Sequence, residues 1–378
     1  MRIKNISGPG IIRPIVSSSG MYIFTFHLTS IMDCIYPGNV ILIGGNVNAW
    51  NFGKVTVYSL ETKCLKGFSR VINFICLQAN ISYRIIALRN KVNSWIFFGG
   101  ESFLLPMLAI KLYKKKSIIF LLGNMEIETK MKNEFFHRPL ALLKLINLRL
   151  ANHIVLYSPI LIQKWNLVKY RDKIIIAHEH FLDFDKFKMR KCVDSRESSI
   201  GYIGRLSEEK GIMNFLGSIL TIHEKKVKLN FLIVGDGVQR DKINIYIREN
   251  GLDNYVELTG WIPHNELPLY LNQLKLLVLP SYSEGLPNIM LEAMACGTPV
   301  LATPVGAIPD IIKDGETGFL MENNSPECIA ANVIRALEHP DLEGVAERAR
   351  ALVEREFTFE KAVERWRAIL EEVGDGGR

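Results

Sequence analysis

Short runs of apolar residues recur along the whole chain and alternate with longer segments in which apolar residues return every three or four positions. The short runs have the length and composition of buried β-strands, and the longer segments have the period of an α-helix. Regular alternation of the two is typical of helices packed on parallel sheets. We therefore predict an α/β fold.

The first half of the chain carries this pattern less clearly than the second. Its predicted strands are Arg2–Ile6, Val40–Ile43, Val55–Ser59, Ser94–Phe98, Ser117–Leu122, His153–Tyr157 and Lys173–Ala177. Helical patterns occupy Glu101–Tyr113 and Pro139–Leu150, whereas Phe68–Lys91 stays unassigned. The uncharged run Pro14–Met32 is interrupted by Ser17–Gly20, so it predicts a buried helix behind a polar loop rather than a membrane span or a signal peptide.

The second half alternates more regularly. Its predicted strands are Ser199–Ile203, Asn230–Val234, Val256–Thr259, Leu276–Leu279 and Val300–Ala302. Helices are predicted at about 211–223, 238–249, 287–296, 326–338, 342–355 and 358–371. The polar stretch Lys188–Ser198 is the predicted linker between the halves.

The length of the chain adds a domain prediction to this pattern. With 378 residues, the chain exceeds the size at which a single hydrophobic core keeps growing. We predict one domain at residues 1–190 and a second at 191–356. Residues 357–378 are predicted to form a helix that crosses back to the first domain.

Charge is divided unequally between the halves. Residues 1–190 contain 26 Lys and Arg against 10 Asp and Glu, a net charge of +16, and the remaining residues carry −9. The basic half either faces anionic lipid, nucleic acid or a phosphorylated substrate, or is a solvated basic surface. No motif of interleaved basic and aromatic residues accompanies the charge, which disfavours a nucleic-acid partner.

The six cysteines form no CxxC pair, as expected of reduced thiols in the cytoplasm.

The first candidate for chemistry is the segment from Gly204 to Gly211, GRLSEEKG, which lies between a predicted strand and a predicted helix. Loops at the carboxyl ends of parallel strands are where open α/β sheets bind ligands. Two cations five residues apart, Arg205 and Lys210, could clamp a diphosphate. Alternatively, they are surface partners of Glu208 and Glu209.

The second candidate is the segment from Glu284 to Glu292, EGLPNIMLE, which follows an apolar strand and opens a helix. Pro287 suits the first helical position and Gly297 suits the helix end. Amides near Gly285 and Leu286 would face an anion at the amino end of the helix. Glu292 has apolar neighbours, so its carboxylate needs a partner.

Three further glycines and a tryptophan follow other strands. Gly235 begins a Gly-Asp-Gly element, which is a plain turn or a ligand loop. Gly260, Trp261 and Ile262 follow the next strand, where the Trp261 indole either packs on a nucleobase or belongs to the core.

The ordered set GRLSEEKG, VGDG, TGW, SEGLPNIMLEAMACGTPVLAT and VGAIPDIIKDGETGFL resembles the retaining GT-B glycosyltransferases of family 4, also called glycosyl transferases group 1. The resemblance covers about residues 199–375 and implies two Rossmann-like, doubly wound domains that face each other across a cleft. It implies that Arg205, Lys210 and Glu284 are catalytic. The donor-binding residues that it implies are Gly204, Arg205, Lys210, Gly235, Gly260, Trp261, Ile262, Glu284, Gly285, Leu286, Pro287 and Glu292.

The resemblance is looser before residue 190. The family often has a Gly-rich loop after its first strand, for which Gly8–Gly10 and Ser19-Gly20 are imperfect candidates. Many members place a functional His after the strand predicted here at 118–122, where this chain has Gly123-Asn124-Met125-Glu126. His27 and His137 are candidate substitutes. Asp183-Phe184-Asp185 looks like a metal motif of another glycosyltransferase class, but we expect a linker turn there.

These predictions together lead to a functional expectation. The resemblance implies retaining transfer of a sugar from a UDP- or GDP-linked donor to a glycan or lipid-linked acceptor, without a cofactor or metal. Lys111, Lys114, Lys115 and Lys116 end an apolar helical pattern, so we expect peripheral binding to an anionic membrane surface on the cytoplasmic side. The alternatives are a sugar-nucleotide epimerase of the same architecture and a non-catalytic member that binds a sugar nucleotide.

Overall fold

The structure is a computed structural model that describes residues 8–13, 19–45, 55–60, 68–122, 137–196, 199–224 and 229–373. The chain forms two compact units, the first made of Met1–Phe181 and Phe359–Arg378, the second of Leu182–Thr358. The predicted limits after residues 190 and 356 therefore both fall inside the second unit. The chain passes from one unit to the other after residue 181 and again after residue 358. Close to these two points, the Leu182 amide donates a hydrogen bond to the Phe357 carbonyl at 2.9 Å.

The first unit is built on a seven-stranded parallel sheet in the order β3-β2-β1-β4-β5-β6-β7. Its strands are β1 (Gly10–Arg13), β2 (Ile41–Gly45), β3 (Thr56–Leu60), β4 (Ser94–Phe98), β5 (Lys116–Phe120), β6 (His153–Leu156) and β7 (Ile174–Ile176). Its helices are α1 (Ser19–Ile35), α2 (Phe68–Ala87), α3 (Leu104–Leu112), α4 (His137–Leu150), α5 (Ile160–Lys164) and, from the end of the chain, α13 (Phe359–Glu372).

The strand order reverses direction at β1, which places helices on both faces of this sheet. Helix α1 packs against α13 on one face, and α3 packs between α2 and α4 on the other. Trp366 of α13 is fully buried, with its ring 5.8 Å from Phe120 of β5. The last helix of the chain thus belongs to the core of the first unit.

Several expectations for the first half need correction. The unassigned segment Phe68–Lys91 is mostly helix α2. Gly8–Gly10 does not follow the first described strand but leads into it, since Gly10 pairs with Ile41 and Trp95. Ser19 and Gly20 open helix α1 rather than form a loop. The predicted strand Arg2–Ile6 lies outside the described residues.

The second unit is built on a six-stranded parallel sheet in the order β10-β9-β8-β11-β12-β13. Its strands are β8 (Ser199–Ile203), β9 (Asn230–Val234), β10 (Val256–Gly260), β11 (Leu276–Leu279), β12 (Val300–Ala302) and β13 (Phe319–Leu320). Its helices are α6 (Ile212–Glu224), α7 (Arg240–Glu249), α8 (Leu267–Leu271), α9 (Asn288–Ala295), α10 (Ile308–Ile311), α11 (Pro326–Leu337) and α12 (Leu342–Glu356).

The core of the second unit follows from the apolar runs that predicted its strands. Strands covered on both faces must be apolar on both, and β8, β9 and β11 are buried along nearly their whole length. Strand β13 and helices α8 and α10 were not predicted, because two to five residues are too few to show a period.

Helix α9 is one residue shorter at each end than predicted. Pro287 has an extended backbone and is the N-cap rather than the first helical residue. At the other end Gly297 has φ +64°, and the amides of Gly297 and Thr298 donate to the carbonyls of Met294 and Ala293. This is a Schellman ending, which explains why the sequence has Gly there.

Two expectations from the sequence, on membrane spans and on cysteines, can be compared with the described residues. No described helix is both long enough and apolar enough to cross a lipid bilayer. Cys34, Cys76, Cys192, Cys296 and Cys328 all have free thiols.

Candidate functional site

The loops that follow β8, β9 and β10 are joined by backbone hydrogen bonds at the carboxyl edge of the second sheet. The Gly204 amide donates to the Val234 carbonyl at 2.9 Å, and the Gly235 amide donates to the Gly260 carbonyl at 2.8 Å. Gly204, Gly235 and Gly260, three of the four glycines predicted to contact the donor, therefore line one edge, where α/β sheets bind their ligands.

Two of the close approaches in these loops require glycine. Gly235 has φ +141°, and a Cβ there would lie 1.9 Å from the Gly204 carbonyl oxygen. Gly306, after β12, has φ +61°, and a Cβ there would lie 2.3 Å from the Gly285 carbonyl oxygen. Such backbone conformations are open to Gly at little cost. The loops after β11 and β12 are thereby packed together, and the Ala307 amide donates to the Gly285 carbonyl at 2.8 Å.

Arg205 is exposed at this edge. Its Nη1 lies 3.3 Å from Glu209 Oε1, four residues later, so the surface pairing considered from the sequence is present. Its carbonyl accepts a hydrogen bond from the Tyr202 hydroxyl at 2.7 Å. Burial, together with Glu284 and Glu209, raises the pKa of Tyr202 well above its ordinary value, so this hydroxyl stays a donor.

Lys210 meets Glu284 directly. Lys210 Nζ lies 2.7 Å from Glu284 Oε1, and the same oxygen accepts a hydrogen bond from Ser281 Oγ at 2.7 Å. Lys210 is half-buried and Glu284 is nearly buried. A cation from the loop after β8 and a carboxylate from the loop after β11 are therefore held in one contact, although 74 positions separate them.

The segment between Glu284 and α9 is mostly enclosed. Leu286 and Pro287 are buried, and Gly285 is half-buried. Helix α9 begins directly after them, so its amino end faces the same edge of the sheet.

Glu292 is 5% exposed and lies in α9 among fully buried Met290, Leu291 and Ala293. Its Oε1 lies 2.7 Å from Nε2 of His264, in the loop after β10. The partner that the apolar surroundings of Glu292 demanded is therefore His264. Burial, and secondarily the Glu292 charge, raise the pKa of the nearby Cys296 thiol to about 12, so the thiol stays neutral.

Lys186 continues this chain of contacts, because its Nζ lies 2.8 Å from Nδ1 of His264. An ammonium group only donates hydrogen bonds, so Nδ1 accepts and Nε2 carries the proton donated to Glu292. Neither Lys186 nor His264 was singled out from the sequence. One signal was present: His264 follows β10 at the same edge as the other candidates, where a partner for a buried carboxylate would be sought.

Trp261 and Ile262 also follow β10. Trp261 is 63% exposed and Ile262 is half-buried, so the indole does not belong to the core. An exposed indole beside glycine loops offers a flat apolar surface to a ring.

The histidine candidates of the first unit lie in several environments. The His27 ring, on α1, packs against the Phe181 ring with the ring centres 4.2 Å apart. His137 opens α4, and residues 123–126 lie outside the described residues.

Asp183, which the sequence placed in a linker turn, does form a turn, since its Oδ1 accepts hydrogen bonds from the amides of Asp185 and Lys186. Among the described residues, no group of three or more His, Cys, Asp or Glu could hold a metal ion.

A cavity of about 810 Å³ lies at the opposite edge of the second sheet, where the strands begin. Ser199, Asn230 and Val256 line it, and none of the predicted site residues does. Since open α/β sheets bind their ligands at the carboxyl edge, this cavity is not the candidate site.

Residues 197–339 match the family model of the glycosyl transferases group 1. The chain is 27% identical over 283 residues to 2-deoxystreptamine N-acetyl-D-glucosaminyltransferase of Niallia circulans, covering 70% of this chain and 72% of that protein. It is 29% identical over 176 residues to the putative colanic acid biosynthesis glycosyltransferase WcaL of Salmonella typhimurium, covering 44% and 43%. The chain spans about half the length of several curated relatives that it matches.

Among solved structures, Anabaena Alr3699/HepE in complex with UDP and glucose superposes with a TM-score of 0.73 at 15% identity, covering 96% of this chain and 99% of that one. A likeness at this identity concerns the fold, and it agrees with the two parallel-sheet units described above. The chain therefore adopts the GT-B fold, and its second unit carries the sequence signature of the glycosyl transferases group 1.

Proposed function

We propose that this chain is a retaining glycosyltransferase of hexosyltransferase type, which transfers a sugar from a nucleotide diphosphate sugar to a glycan or lipid-linked acceptor. The observation that carries the proposal is the contact between Lys210 and Glu284, 2.7 Å apart at the carboxyl edge of the second sheet. A cation for a diphosphate and a carboxylate for sugar hydroxyls meet there, beside the amino end of α9.

Each part of the donor has a proposed partner at this edge. Lys210 and Arg205 neutralise the diphosphate, and Glu284 accepts hydrogen bonds from the sugar. Glu292, held by His264, accepts from the ribose hydroxyls. Trp261 and Ile262 flank the base, and amides from Gly285 to Pro287 complete the anion site. The loops that contain Gly204, Gly235 and Gly260 would border the donor at this edge.

The proposed chemistry needs no protein nucleophile. The bond between the anomeric carbon and the diphosphate oxygen breaks, and the acceptor oxygen bonds to the same face of that carbon. The acceptor proton passes to an oxygen of the departing diphosphate. Catalysis then rests on stabilising the negative charge of the leaving group, for which Lys210 is already oriented by Glu284 and Glu284 by Ser281.

Donor and acceptor classes are part of the proposal. The donor is UDP- or GDP-linked, and UDP-sugars are the first to test because the HepE complex contains UDP and glucose. The acceptor belongs to polysaccharide or glycolipid synthesis, and the similarity to WcaL, a putative colanic acid biosynthesis glycosyltransferase, supports this part of the proposal. We place the reaction at the cytoplasmic face of a membrane, with the enzyme bound peripherally.

The test begins with thermal denaturation of the full chain in UDP, GDP and ADP and their sugar conjugates. A ligand at about 100 times its Kd should stabilise the protein by roughly 2.7 kcal/mol. With the donor identified, Lys210→Ala and Arg205→Ala should each lose about 2–4 kcal/mol of transition-state stabilisation in kcat/KM. Activity should persist in a chelator, because the two cations replace a metal.

Matched controls are available in the same unit. Lys313→Ala removes an exposed lysine, and Arg350→Ala breaks an i,i+4 pair with Glu354 that matches the pair of Arg205 with Glu209. Both controls should retain activity. Unchanged turnover in both site variants would overturn the diphosphate assignment, and donor binding without transfer to any acceptor would support a non-catalytic role instead.

A further inference from the structure

Three adjacent helices of the first unit expose large apolar side chains on the side facing away from the sheet. Leu112 is 73% exposed and Tyr83 is 66% exposed, values far from those of core residues. The two most exposed of those described on each helix are Ile75 and Tyr83 of α2, Leu108 and Leu112 of α3, and Leu142 and Leu145 of α4.

These side chains form stripes rather than scattered positions. On α3, Leu105, Leu108 and Leu112 are spaced by three and four residues, which places them on one helical face. The opposite face of α3 is buried through Met107 and Ile110. A helix that is apolar on both sides has a second apolar surface to cover, and contiguous exposed stripes of this kind mark interaction sites.

The three helices form one continuous surface. Gln78 of α2 accepts a hydrogen bond from the Leu105 amide of α3 at 3.1 Å, and the rings of Phe74 and Phe103 lie 5.5 Å apart. Ser102, just before α3, donates to the Leu140 carbonyl of α4 at 3.2 Å. The stripes are therefore held beside one another by specific contacts.

Charge on this surface has one sign. Helices α2, α3 and α4 contain no Asp or Glu. Within residues 68–122 and 137–171, the one acidic residue is Glu101, which is 4% exposed. Arg138 and Arg149 of α4 and Lys114 after α3 are exposed. The surface thus combines apolar stripes with uncompensated positive charge.

Of the four lysines expected from the sequence to contact lipid, three donate hydrogen bonds to other groups of the first unit. Lys111 Nζ donates to Asn152 Oδ1 at 2.6 Å, and Lys115 Nζ donates to Asn93 Oδ1 at 3.3 Å. Lys116 Nζ donates to the Val373 carbonyl. Three of the four lysines are half-buried in these contacts, so the helical face is the better candidate for lipid contact.

We propose that the face formed by α2, α3 and α4 docks on an anionic lipid bilayer, with its leucine stripes at the boundary between headgroups and acyl chains. Arg138, Arg149 and Lys114 would meet anionic headgroups. A second copy of the chain fits less well, because a symmetric contact would bring these positive charges together. The inference deepens the membrane location in the proposed function and does not depend on the donor chemistry.

The experiment uses flotation of the full chain with vesicles of phosphatidylcholine, with and without phosphatidylglycerol. The wild type should float with the anionic vesicles, less strongly as salt is raised. The double variant Leu108→Glu with Leu112→Glu should bind at least roughly tenfold more weakly, because two apolar side chains no longer leave water. The matched control is Ile245→Glu with Leu269→Glu, two exposed apolar residues of the second unit that lie outside its candidate donor site.

Three outcomes would overturn the inference. These are no flotation of the wild type, equal loss in the α3 variant and in the control, or a wild-type dimer that the α3 variant dissociates without any vesicle binding. UDP-dependent thermal stabilisation of the same preparations reports on the second unit alone. Failure of the membrane inference can therefore be told from failure of the proposed donor site.

Discussion

Glu292 lies in a helix whose neighbouring side chains are buried and apolar, and the imidazole of His264 supplies its hydrogen bond at 2.7 Å. Removing one partner of a buried polar pair costs more than the pair contributes, because the remaining group has lost its hydration. The sequence showed that Glu292 needs a partner but could not identify it, since His264 is 28 positions away.

We expect His264→Ala to lower the free energy of unfolding by about 1–3 kcal/mol, since the Glu292 carboxylate loses a donor. Binding of UDP, measured by calorimetry, should weaken because the carboxylate is no longer held in place. His264→Gln should recover much of both losses, since its amide can donate to Glu292.

Lys188→Ala is the control for this experiment, because Lys188 pairs with Asp185 at the surface of the segment that also carries Lys186. It should leave both quantities nearly unchanged. If His264→Ala and His264→Gln bind UDP equally, His264 does not position Glu292 through this hydrogen bond.

The loops at the carboxyl edge of the second sheet pack closely against one another because of their glycines. The sequence predicted a loop after each strand but left Gly235 open between a plain turn and a ligand loop. Spacing along the chain says nothing of how closely the Gly204 carbonyl approaches, and that approach comes from the pairing of β8 with β9.

Gly235→Ala should lower the free energy of unfolding by roughly 3 kcal/mol, because it combines a backbone region closed to other residues with a displaced loop contact. Gly251→Ala is the matched control: Gly251 has φ +65° but nothing within 4 Å of a Cβ. The control should cost about 1–2 kcal/mol from strain alone. Urea denaturation measures both, and equal costs would show that the close approach to Gly204 is unimportant.

Helix α2 shows why one element could not be assigned. Its inner face is buried through Leu77, Ile81 and Ile85, and its outer face carries Ile72 and Ile75. The buried residues return every four positions, so the helical period is present in the sequence, but the exposed isoleucines of the outer face make it harder to recognise. The same feature suits a helix that lies between a sheet and a second apolar surface.

Stability of the molecule as a whole should depend on pH through two buried groups of the first unit. Burial raises the pKa of Glu179 to about 8 from 4.5, although Tyr157 donates to its Oε1 at 3.1 Å. Burial, with the nearby Arg365 charge, lowers the pKa of His178 to about 3 from 6.5. Glu179 therefore holds a proton that the unfolded chain releases, and His178 rejects one that the unfolded chain takes up.

These shifts act in different windows of pH. His178 lowers stability as pH falls from 6.5 towards 3, and Glu179 lowers stability as pH rises from 4.5 to about 8. Of these two groups, Glu179 alone acts between pH 6.5 and 8. There the wild type should lose up to about 1.4 kcal/mol per pH unit in chemical denaturation.

Glu179→Gln should remove that slope, because the amide has no proton to lose in this range. Glu371→Gln changes an exposed carboxylate of the same unit and should preserve the slope. A wild-type stability that is constant from pH 6.5 to 8 would show that Glu179 is ionised in the folded protein.

The sequence by itself determined the α/β class, five of the six strands of the second sheet and the residue types needed at its carboxyl edge. It could do so because strand periods, glycines and helix ends depend on neighbours within a few positions. The fold class was confirmed, whereas the roles assigned to Arg205, Lys210, Glu284 and Glu292 stay predictions.

Only the tertiary structure decided which distant groups meet and which surfaces stay uncovered. The 2.7 Å contacts of Lys210 with Glu284 and of His264 with Glu292 join loops from different strands. The return of α13 to the first unit and the exposed stripes of α2, α3 and α4 likewise depend on how the elements pack. The physical reason is that burial and ion pairing depend on distance in space, which local patterns along a chain do not encode.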